Sequence, residues 1–365
     1  MTDVDFEGSI ESITDDLYRA GVTDGLPVIP ATRDRIDNML RGTDLPPDEE
    51  VGIFGERGLT VEHLAAYGVL AGCHPPHMPV LVAAIRAMAD PASNVEVASI
   101  DPGSWAYQWI VNGPIRTELD IRSNTGTFGP SFRVNRSIGR AIGLAVKNTA
   151  EIEQHGWGVH GNPFKYSLFG GENEEASPWE PYHVDLGYDA DQSTITFSPR
   201  RSFIQFIPFE MDADGILQAM QANTTKDIVG RSLSDHDEMV VHTIAPYNAE
   251  ELGDAGLSKA DVKAFLCDNS ATPYASIGDR VDAEHAGAGW SENVEPIQAP
   301  QIADPDLVQI YVVGGSGRFN GLGRTIGGPV TVEIETPDGW ADLVDEYVIE
   351  REWGTIAKSY DDIRR

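Results

Sequence analysis

Basic residues are scarce in this sequence, and lysine is the scarcest of them. The 365 residues include 58 aspartates and glutamates but only 26 lysines and arginines, which gives a formal net charge of −32. Because phosphate contacts need clustered lysine and arginine, this balance argues against a nucleic-acid partner. The acids are dispersed along the whole chain. Their dispersal favours a solvated acidic coat over an acidic ligand-binding surface, and it predicts a halophilic protein from an acidic proteome.

Cysteine and long apolar runs are also nearly missing. Cys73 and Cys267 are the two cysteines, and no Cys-X-X-Cys motif occurs, which argues against a disulfide framework. No stretch approaches the roughly 18 apolar residues of a membrane span, and the acidic N-terminus lacks the pattern of a signal peptide. We therefore expect a soluble, cytoplasmic protein with no membrane partner.

The chain does contain alternating helical and strand patterns. Apolar residues recur at helical spacing in residues 9–20 and 133–152, and the apolar run 307–313 is typical of a buried strand. The alternating valines of residues 94–101, "NVEVASID", predict another strand. The alternation of helices and buried strands favours an α/β fold with mixed sheets, flanking helices and a helical N-terminal part. The expected regions, which can also form one compact unit, are 1–90 (helical), 91–245 (α/β with a candidate site loop) and 246–365 (α/β).

The stretch "AGCHPPHMP", residues 71–79, places Cys73 at a corner between two helices, because its prolines mark the start of the second helix. A thiol at a helix N-terminus ionises more readily, and His74 or His77 can accept its proton. Cys73 is therefore a candidate nucleophile or redox thiol. One alternative is a small buried residue. Another is a zinc ligand, which is disfavoured because Cys73 and His74 are adjacent and a fourth ligand is lacking. Cys267 is expected in the core.

Residues 155–187 form the densest polar and aromatic region. Carboxylates and imidazoles on a loop after a strand are the groups that acid–base chemistry or a metal uses, so Glu175 and His183 are candidate catalytic residues. The alternative is that Glu174 and Glu175 belong to the acidic coat. The candidate substrate-binding residues of this region are Lys165, Glu172, Asn173 and Trp179.

Two glycine-rich segments are candidate ligand loops. The segment "SNTGTFGPSF", residues 123–132, leads into a helix that begins at Arg133 and contains Arg136. Either arginine can bind an anion such as a phosphate or a carboxylate, with surface acids as the alternative partners. The segment "VVGGSGRFNGLG", residues 312–323, lacks a GxGxxG motif followed by a helix. Close approach of its backbone to a ligand or a neighbouring chain is therefore favoured over NAD binding.

Several segments together resemble a poorly characterised family of prokaryotic proteins associated with small (seleno)proteins that bear a Sec/Cys–Gly–Ser–Cys motif. They are "TDGLPVIPATRDRIDNML", "VLAGCHPPHMPVLVAAIRAM", "NGPIRTELDI", "GPSFRVNRSIGRAI", "HGNPFKYSLFGGENEEASPWEPYHVDLGY" and "PVTVEI". The resemblance covers most of residues 22–190 and part of the C-terminal region. It implies thiol or selenol redox chemistry in a complex with a small Cys/Sec redox protein, and the motif itself is absent from this chain. The residues within the family-like segments are Cys73, Lys165, Glu172, Asn173, Glu174, Glu175 and His183.

The leading hypothesis is an enzyme, or the large subunit of one, that acts on a small anionic molecule by thiol- or redox-linked chemistry. In this hypothesis Cys73, the 165–183 loop and the helix start at Arg133 converge on one pocket, and Arg136 binds an anionic part of the substrate. The first alternative is a non-catalytic partner or scaffold protein that docks a small redox protein. The second is a metal-dependent hydrolase that uses the histidines. We also expect a homo-oligomer, and the sequence indicates no particular cofactor.

Overall fold

The structure is a computed structural model that describes residues 8–100, 103–149, 159–162, 166–201, 203–208, 210–226, 239–273, 298–300, 302 and 304–348. Its helices are α1 Ile10–Arg19, α2 Arg33–Leu40, α3 Val61–Ala71, α4 Met78–Ala89, α5 Val95–Ile100, α6 Ile115–Glu118, α7 Arg133–Thr149, α8 Tyr182–Asp185, α9 Ala213–Lys226, α10 Pro246–Asp254, α11 Lys259–Asn269 and α12 Trp340–Tyr347. Its strands are β1 Glu50–Phe54, β2 Arg57–Thr60, β3 Ala106–Asn112, β4 Leu168–Gly171, β5 Thr194–Arg200, β6 Ile204–Phe206, β7 Met239–Ile244, β8 Ala271–Pro273, β9 Gln298–Pro300, β10 Val308–Val312, β11 Asn320–Thr325 and β12 Val330–Glu333.

An eight-stranded mixed sheet is the centre of the described part of the chain. Its strand order is β10–β7–β11–β5–β3–β4, with β12 paired to β5 and β6 paired to β11. The β10/β7 and β3/β4 pairs are parallel, and the other pairs are antiparallel. Together with the flanking helices, this sheet confirms the predicted α/β class. Strands from the 91–245 and 246–365 regions both join it.

Two hydrophobic cores cover one face of each half of the sheet. Trp109 of β3 and Phe197 of β5 belong to the first core, which packs against α3, α4 and α7. Ile310 of β10 and Val240 of β7 belong to the second, which packs against α9, α10 and α11. The alternation of apolar and polar residues along these strands therefore points polar side chains to the opposite face.

The two polar faces meet inside the fold. Ser198 of β5 donates from Oγ to Oε1 of Gln309 of β10 at 3.2 Å, although β7 and β11 separate these strands in the sheet order. Strands β11 and β5 share a single paired position, Thr325 with Arg200. The sheet therefore folds over at this point, and its two halves enclose polar side chains together with a third apolar cluster of Ile110, Tyr182, Val241, Tyr311 and Val313.

The described residues of the segment 94–101 differ from their prediction, because residues 95–100 form helix α5 and not a strand. Val95 and Ala98 are buried, whereas Val97 is 46% exposed, so burial follows a spacing of three residues. The hydroxyl of Ser93 accepts the N–H of Val95 at 3.2 Å at the start of the helix. The strand preference of valine is weak beside this tertiary burial. Within the described residues, no helix has the length and apolarity needed to cross a membrane.

Candidate functional site

The corner at Cys73 forms as the sequence predicted. Helix α3 ends at Ala71, and Gly72 adopts a left-handed conformation with φ of 85°, which glycine accepts without strain. The N–H of Cys73 then donates to the carbonyl of Gly68 at 2.9 Å. A short 3₁₀ turn, Pro75–His77, leads directly into α4. Cys73 therefore lies just before a one-turn segment, at the junction of two buried helices.

The thiol of Cys73 is buried, with 9% of the residue exposed. Burial raises its pKa to about 12, although the Ser137 hydroxyl and the charges of Arg133 and Arg140 act in the opposite direction. With this pKa, roughly one thiol in 10⁵ is ionised at pH 7. A catalytic role for Cys73 stays a prediction, and burial works against the ionisation that such a role requires.

A cavity of about 180 Å³ lies beside this corner. We call it the corner cavity, and its lining residues are His74, His77, Leu119, Asp120, Ser131, Phe132, Arg133, Val134, Tyr347 and Val348. The Arg133 guanidinium hydrogen-bonds His74 Nε2 and lies 3.5 Å from the carbonyl of Gly72. The ring of Tyr347 meets the ring of His74 edge-on at 5.6 Å. The structure thus brings Arg133 to the Cys73 corner.

Arg136 faces away from this cavity. Its Nη2 donates to the carbonyl of Phe169, the second residue of β4, at 3.3 Å. The side chain is partly buried, and burial lowers its pKa. Arg136 therefore connects α7 to the sheet, and its predicted role in anion binding stays a prediction.

The acidic loop after β4 forms a second group of predicted residues, of which Glu172 and Asn173 join the two ends of the sheet. Glu172 is fully buried and accepts three hydrogen bonds, from Asn112 Nδ2 at 2.7 Å, Tyr182 N–H at 2.8 Å and Val312 N–H at 3.2 Å. Burial raises its pKa, while these donors and the charge of Lys259 favour the carboxylate. Asn173 donates from Nδ2 to the carbonyl of Gly314 at 2.8 Å.

Glu174 and Glu175 share one buried arginine. Arg116 is 4% exposed, and its Nη2 donates to Glu174 Oε2 at 2.7 Å and to Glu175 Oε1 at 2.9 Å. The hydrogen bond from Arg116 holds the pKa of Glu175 below its ordinary value. Glu175 is therefore an ionised carboxylate at neutral pH and is paired with an arginine. It can accept a proton only weakly.

His183, on α8, is fully buried, and neither ring nitrogen forms a well-aligned hydrogen bond with a described residue. Burial lowers its pKa, and the charge of Glu174 together with the nearby backbone of Ala190 and Asp189 partly opposes this. The imidazole is therefore neutral near pH 7. Trp179 donates from Nε1 to the carbonyl of Leu257 at 2.9 Å and packs on the second core. Lys165 lies outside the described residues.

A larger cavity of about 550 Å³ lies where the two glycine-rich segments meet. We call it the glycine-loop cavity. Its lining residues are Gly126, Thr127, Phe128, Gly129, Leu168, Phe203, Gln205, Thr243, Val313, Gly314, Phe319, Asn320 and Gly321. Its volume is within the range of sites that hold small organic ligands. The sequence pointed to both loops, which contribute Phe128 and Phe319, but not to Phe203, which comes from a third part of the chain.

The two glycine-rich segments touch each other directly. The N–H of Gly314 donates to the carbonyl of Ser123 at 2.9 Å. An ideal Cβ at Gly315 would lie 1.8 Å from Oγ1 of Thr125, so only glycine permits this contact. Because Asn173 also binds the carbonyl of Gly314, the acidic loop supports the same cavity wall from outside the cavity.

Most of the predicted site residues thus fall into two groups, one at the Cys73 corner and one around Arg116 and Glu172, with the glycine-loop cavity next to the second group. Arg136 belongs to neither group, and Lys165 lies outside the described residues. Among the described residues, no three histidine, cysteine, aspartate or glutamate side chains cluster in a way that would hold a metal ion. The metal-dependent hydrolase stays a prediction.

Comparison with known proteins found no relative of this chain. The chain matches no protein-family model, no curated protein and no solved structure at a significant level.

Proposed function

We propose that this chain is the large, substrate-binding subunit of an enzyme that acts on a small molecule, and that the glycine-loop cavity binds this molecule. The observation that carries the proposal is the meeting of the 123–132 and 312–323 segments around 550 Å³ of space. Close backbone approach, fixed by glycine contacts and by Asn173, is how proteins present N–H and C=O groups to a ligand.

The lining predicts which part of a substrate binds there. Phe128 and Phe203 meet edge-on at 5.5 Å, and their rings offer flat apolar surface to a planar group. The Thr243 hydroxyl and the Gln205 amide supply polar contacts beside them. These groups carry no charge, so we expect an uncharged planar portion of the substrate to occupy the cavity.

We infer that the reactive thiol or selenol comes from a small partner protein. The family resemblance implies such a partner, and burial keeps the Cys73 thiol of this chain protonated. Phe319, which lines the cavity, is 61% exposed, and Ile207, just after β6, is 42% exposed. Continuation of the β6/β11 register places these two residues opposite each other. We propose that these two exposed apolar side chains form the apolar rim on which the partner docks.

Two other readings remain as hypotheses. Cys73 as the nucleophile of this chain would require an ionised thiol in a buried place. A non-catalytic scaffold protein would use the same apolar rim without a substrate in the cavity. Ligand binding distinguishes the scaffold hypothesis from the proposal, because a scaffold protein does not need a small molecule in the glycine-loop cavity.

The test fills the cavity. Val313 lines it and is 8% exposed, so Val313→Trp places an indole in the ligand space. Ile53→Trp, at a 57% exposed position of β1, controls for an added indole, and an unchanged circular dichroism spectrum of Val313→Trp controls for folding, because Val313 belongs to a buried apolar cluster. Saturation-transfer NMR in molar salt against a panel of uncharged heteroaromatic amides should detect binding to the wild type and to Ile53→Trp, and none to Val313→Trp. Equal binding to all three chains, or none to the wild type, contradicts the proposal.

A further inference from the structure

Several arginines among the described residues pair with carboxylates, and Arg133 is one of those that do not. Arg116 binds Glu174 and Glu175, and Arg140 binds Asp24 at 2.8 Å. Arg133 contacts the His74 ring and the Gly72 carbonyl, and no described carboxylate forms an ion pair with it. In a chain with 58 acids and 26 bases, a guanidinium beside a cavity without an acidic partner is a candidate anion ligand.

His77 gives a second, independent indication at the same cavity. The residue is 6% exposed, and its Nδ1 accepts the N–H of His74 at 3.1 Å. Burial lowers its pKa to about 3, so the ring is neutral and its proton resides on Nε2. No described group accepts a hydrogen bond from this Nε2–H. His77 lines the corner cavity, so a ligand oxygen bound there can accept this N–H.

The rest of the lining defines the chemical class of the ligand. Leu119, Phe132, Val134 and Val348 form an apolar wall, which suits a short alkyl chain. Asp120 also lines the cavity and repels a second negative charge. The volume of about 180 Å³ accommodates only a small molecule. These features favour a monoanion with an apolar tail over a phosphate or a larger dianion.

We propose that the corner cavity is a binding site for a short-chain aliphatic monocarboxylate, held at its carboxylate by Arg133 and His77 and along its alkyl chain by the apolar wall. This site is separate from the glycine-loop cavity, because the 126–132 segment lies between the two. Gly126 on one side packs against the ring of Phe132 on the other, with an ideal Cβ position 3.2 Å from Phe132 Cε2. The site therefore does not depend on the function proposed for the larger cavity.

The test is titration of the full chain with butyrate at fixed ionic strength in chloride. Isothermal titration and the imidazole proton shifts of His74 and His77 are the two readouts. Arg133 is exposed, so Arg133→Gln should fold normally, and Arg19→Gln, an exposed arginine of α1, is the matched control. We expect butyrate to bind the wild type and Arg19→Gln, and to bind Arg133→Gln at least about tenfold more weakly, since a charged hydrogen-bond partner is lost.

Other probes separate the ligand class from general anion binding. n-Butanol, which has the alkyl chain without the charge, and inorganic phosphate should both bind far more weakly than butyrate. Equal butyrate affinity in wild type and Arg133→Gln, equal response to phosphate, or unchanged imidazole shifts on saturation would overturn the proposal. Val313→Trp should leave butyrate binding unchanged, so failure of this site and failure of the glycine-loop cavity give different results.

Discussion

The carboxylate of Glu172 accepts a hydrogen bond from the backbone N–H of Val312 at 3.2 Å. Glu172 directly follows β4 and Val312 is the last residue of β10, and these two strands lie at opposite ends of the strand order. The backbone N–H of Asn173 donates to the carbonyl of Val312 at 2.8 Å and completes the connection. The acidic loop therefore closes the folded-over sheet. Since Asn173 also binds Gly314, this closure positions the glycine-rich segment that lines the larger cavity.

Replacement of Glu172 should destabilise the protein. In Glu172→Gln an amide NH₂ replaces an oxygen that accepts a buried hydrogen bond, so one of the three donors loses its partner. We expect a loss of about 1–3 kcal/mol in the free energy of unfolding, measured by chemical denaturation in molar salt. Glu180→Gln, at an exposed position of the same loop, is the control and should change stability little. An unchanged stability in Glu172→Gln would show that the closure contributes nothing.

Acidification should destabilise the fold through its buried histidines. His242 is fully buried, its Nε2 lies 3.0 Å from Thr224 Oγ1, and burial lowers its pKa to about 3. The folded-state pKa is below the unfolded value near 6.5. Its neutral form therefore contributes stability above pH 6.5, and this is lost as the pH falls from 6.5 towards 3.

His242→Phe tests this pH dependence, because phenylalanine keeps a ring beside Phe206 and cannot titrate. One buried histidine contributes a slope of about 1.4 kcal/mol per pH unit in this window. Denaturation at pH 7, 6 and 5 should give a shallower decline for the variant than for the wild type. Parallel declines would contradict the assignment.

Alkylation should distinguish a packed Cys73 from an activated one. With its pKa raised by burial from 9.0 to about 12, the native thiol should react with iodoacetamide about a thousandfold more slowly than a thiol of ordinary pKa at pH 7. Peptide mass spectrometry separates Cys73 from Cys267, which is less buried. If Cys73 labels faster than N-acetylcysteine, burial does not suppress its reactivity and the nucleophile hypothesis regains support.

Salt should stabilise this chain strongly. With a net charge of −32, repulsion among the acids is screened over about 3 Å at 1 M salt but over about 30 Å at 0.01 M. We expect the melting temperature to fall on dilution from molar potassium chloride into dilute buffer. Sucrose, an uncharged osmolyte, should not replace the salt. A melting temperature independent of ionic strength would contradict the interpretation of the acids as a halophilic coat.

Local patterns predicted much of this architecture. The prolines of "CHPPHMP" predicted the corner at Cys73, and helical spacing predicted α1 and α7. The strand predicted from the alternating valines of residues 94–101 was wrong, because burial of Val95 and Ala98 on one side of a helix outweighs the strand preference of valine.

Local sequence patterns did not predict how the residues of the site come together. Acidic residues are so common in this chain that nothing in the sequence distinguishes the buried Glu172 from the exposed acids. Phe128, Phe203 and Phe319 are far apart in sequence, and the tertiary fold brings them to one cavity. Each glycine-rich segment was identified separately from the sequence, but the contact between them depends on the tertiary structure.

Hydrogen–deuterium exchange tests the central claim most directly. Amides of the wild-type chain are compared with and without the tightest-binding compound from the heteroaromatic amide panel, in molar salt. We predict increased protection at residues 126–129 and 314–321, where the glycine loops line the cavity, and none at the Cys73 corner. Protection confined to the corner or to any other surface, with these two loops unchanged, would contradict the assignment of the glycine-loop cavity as the substrate site.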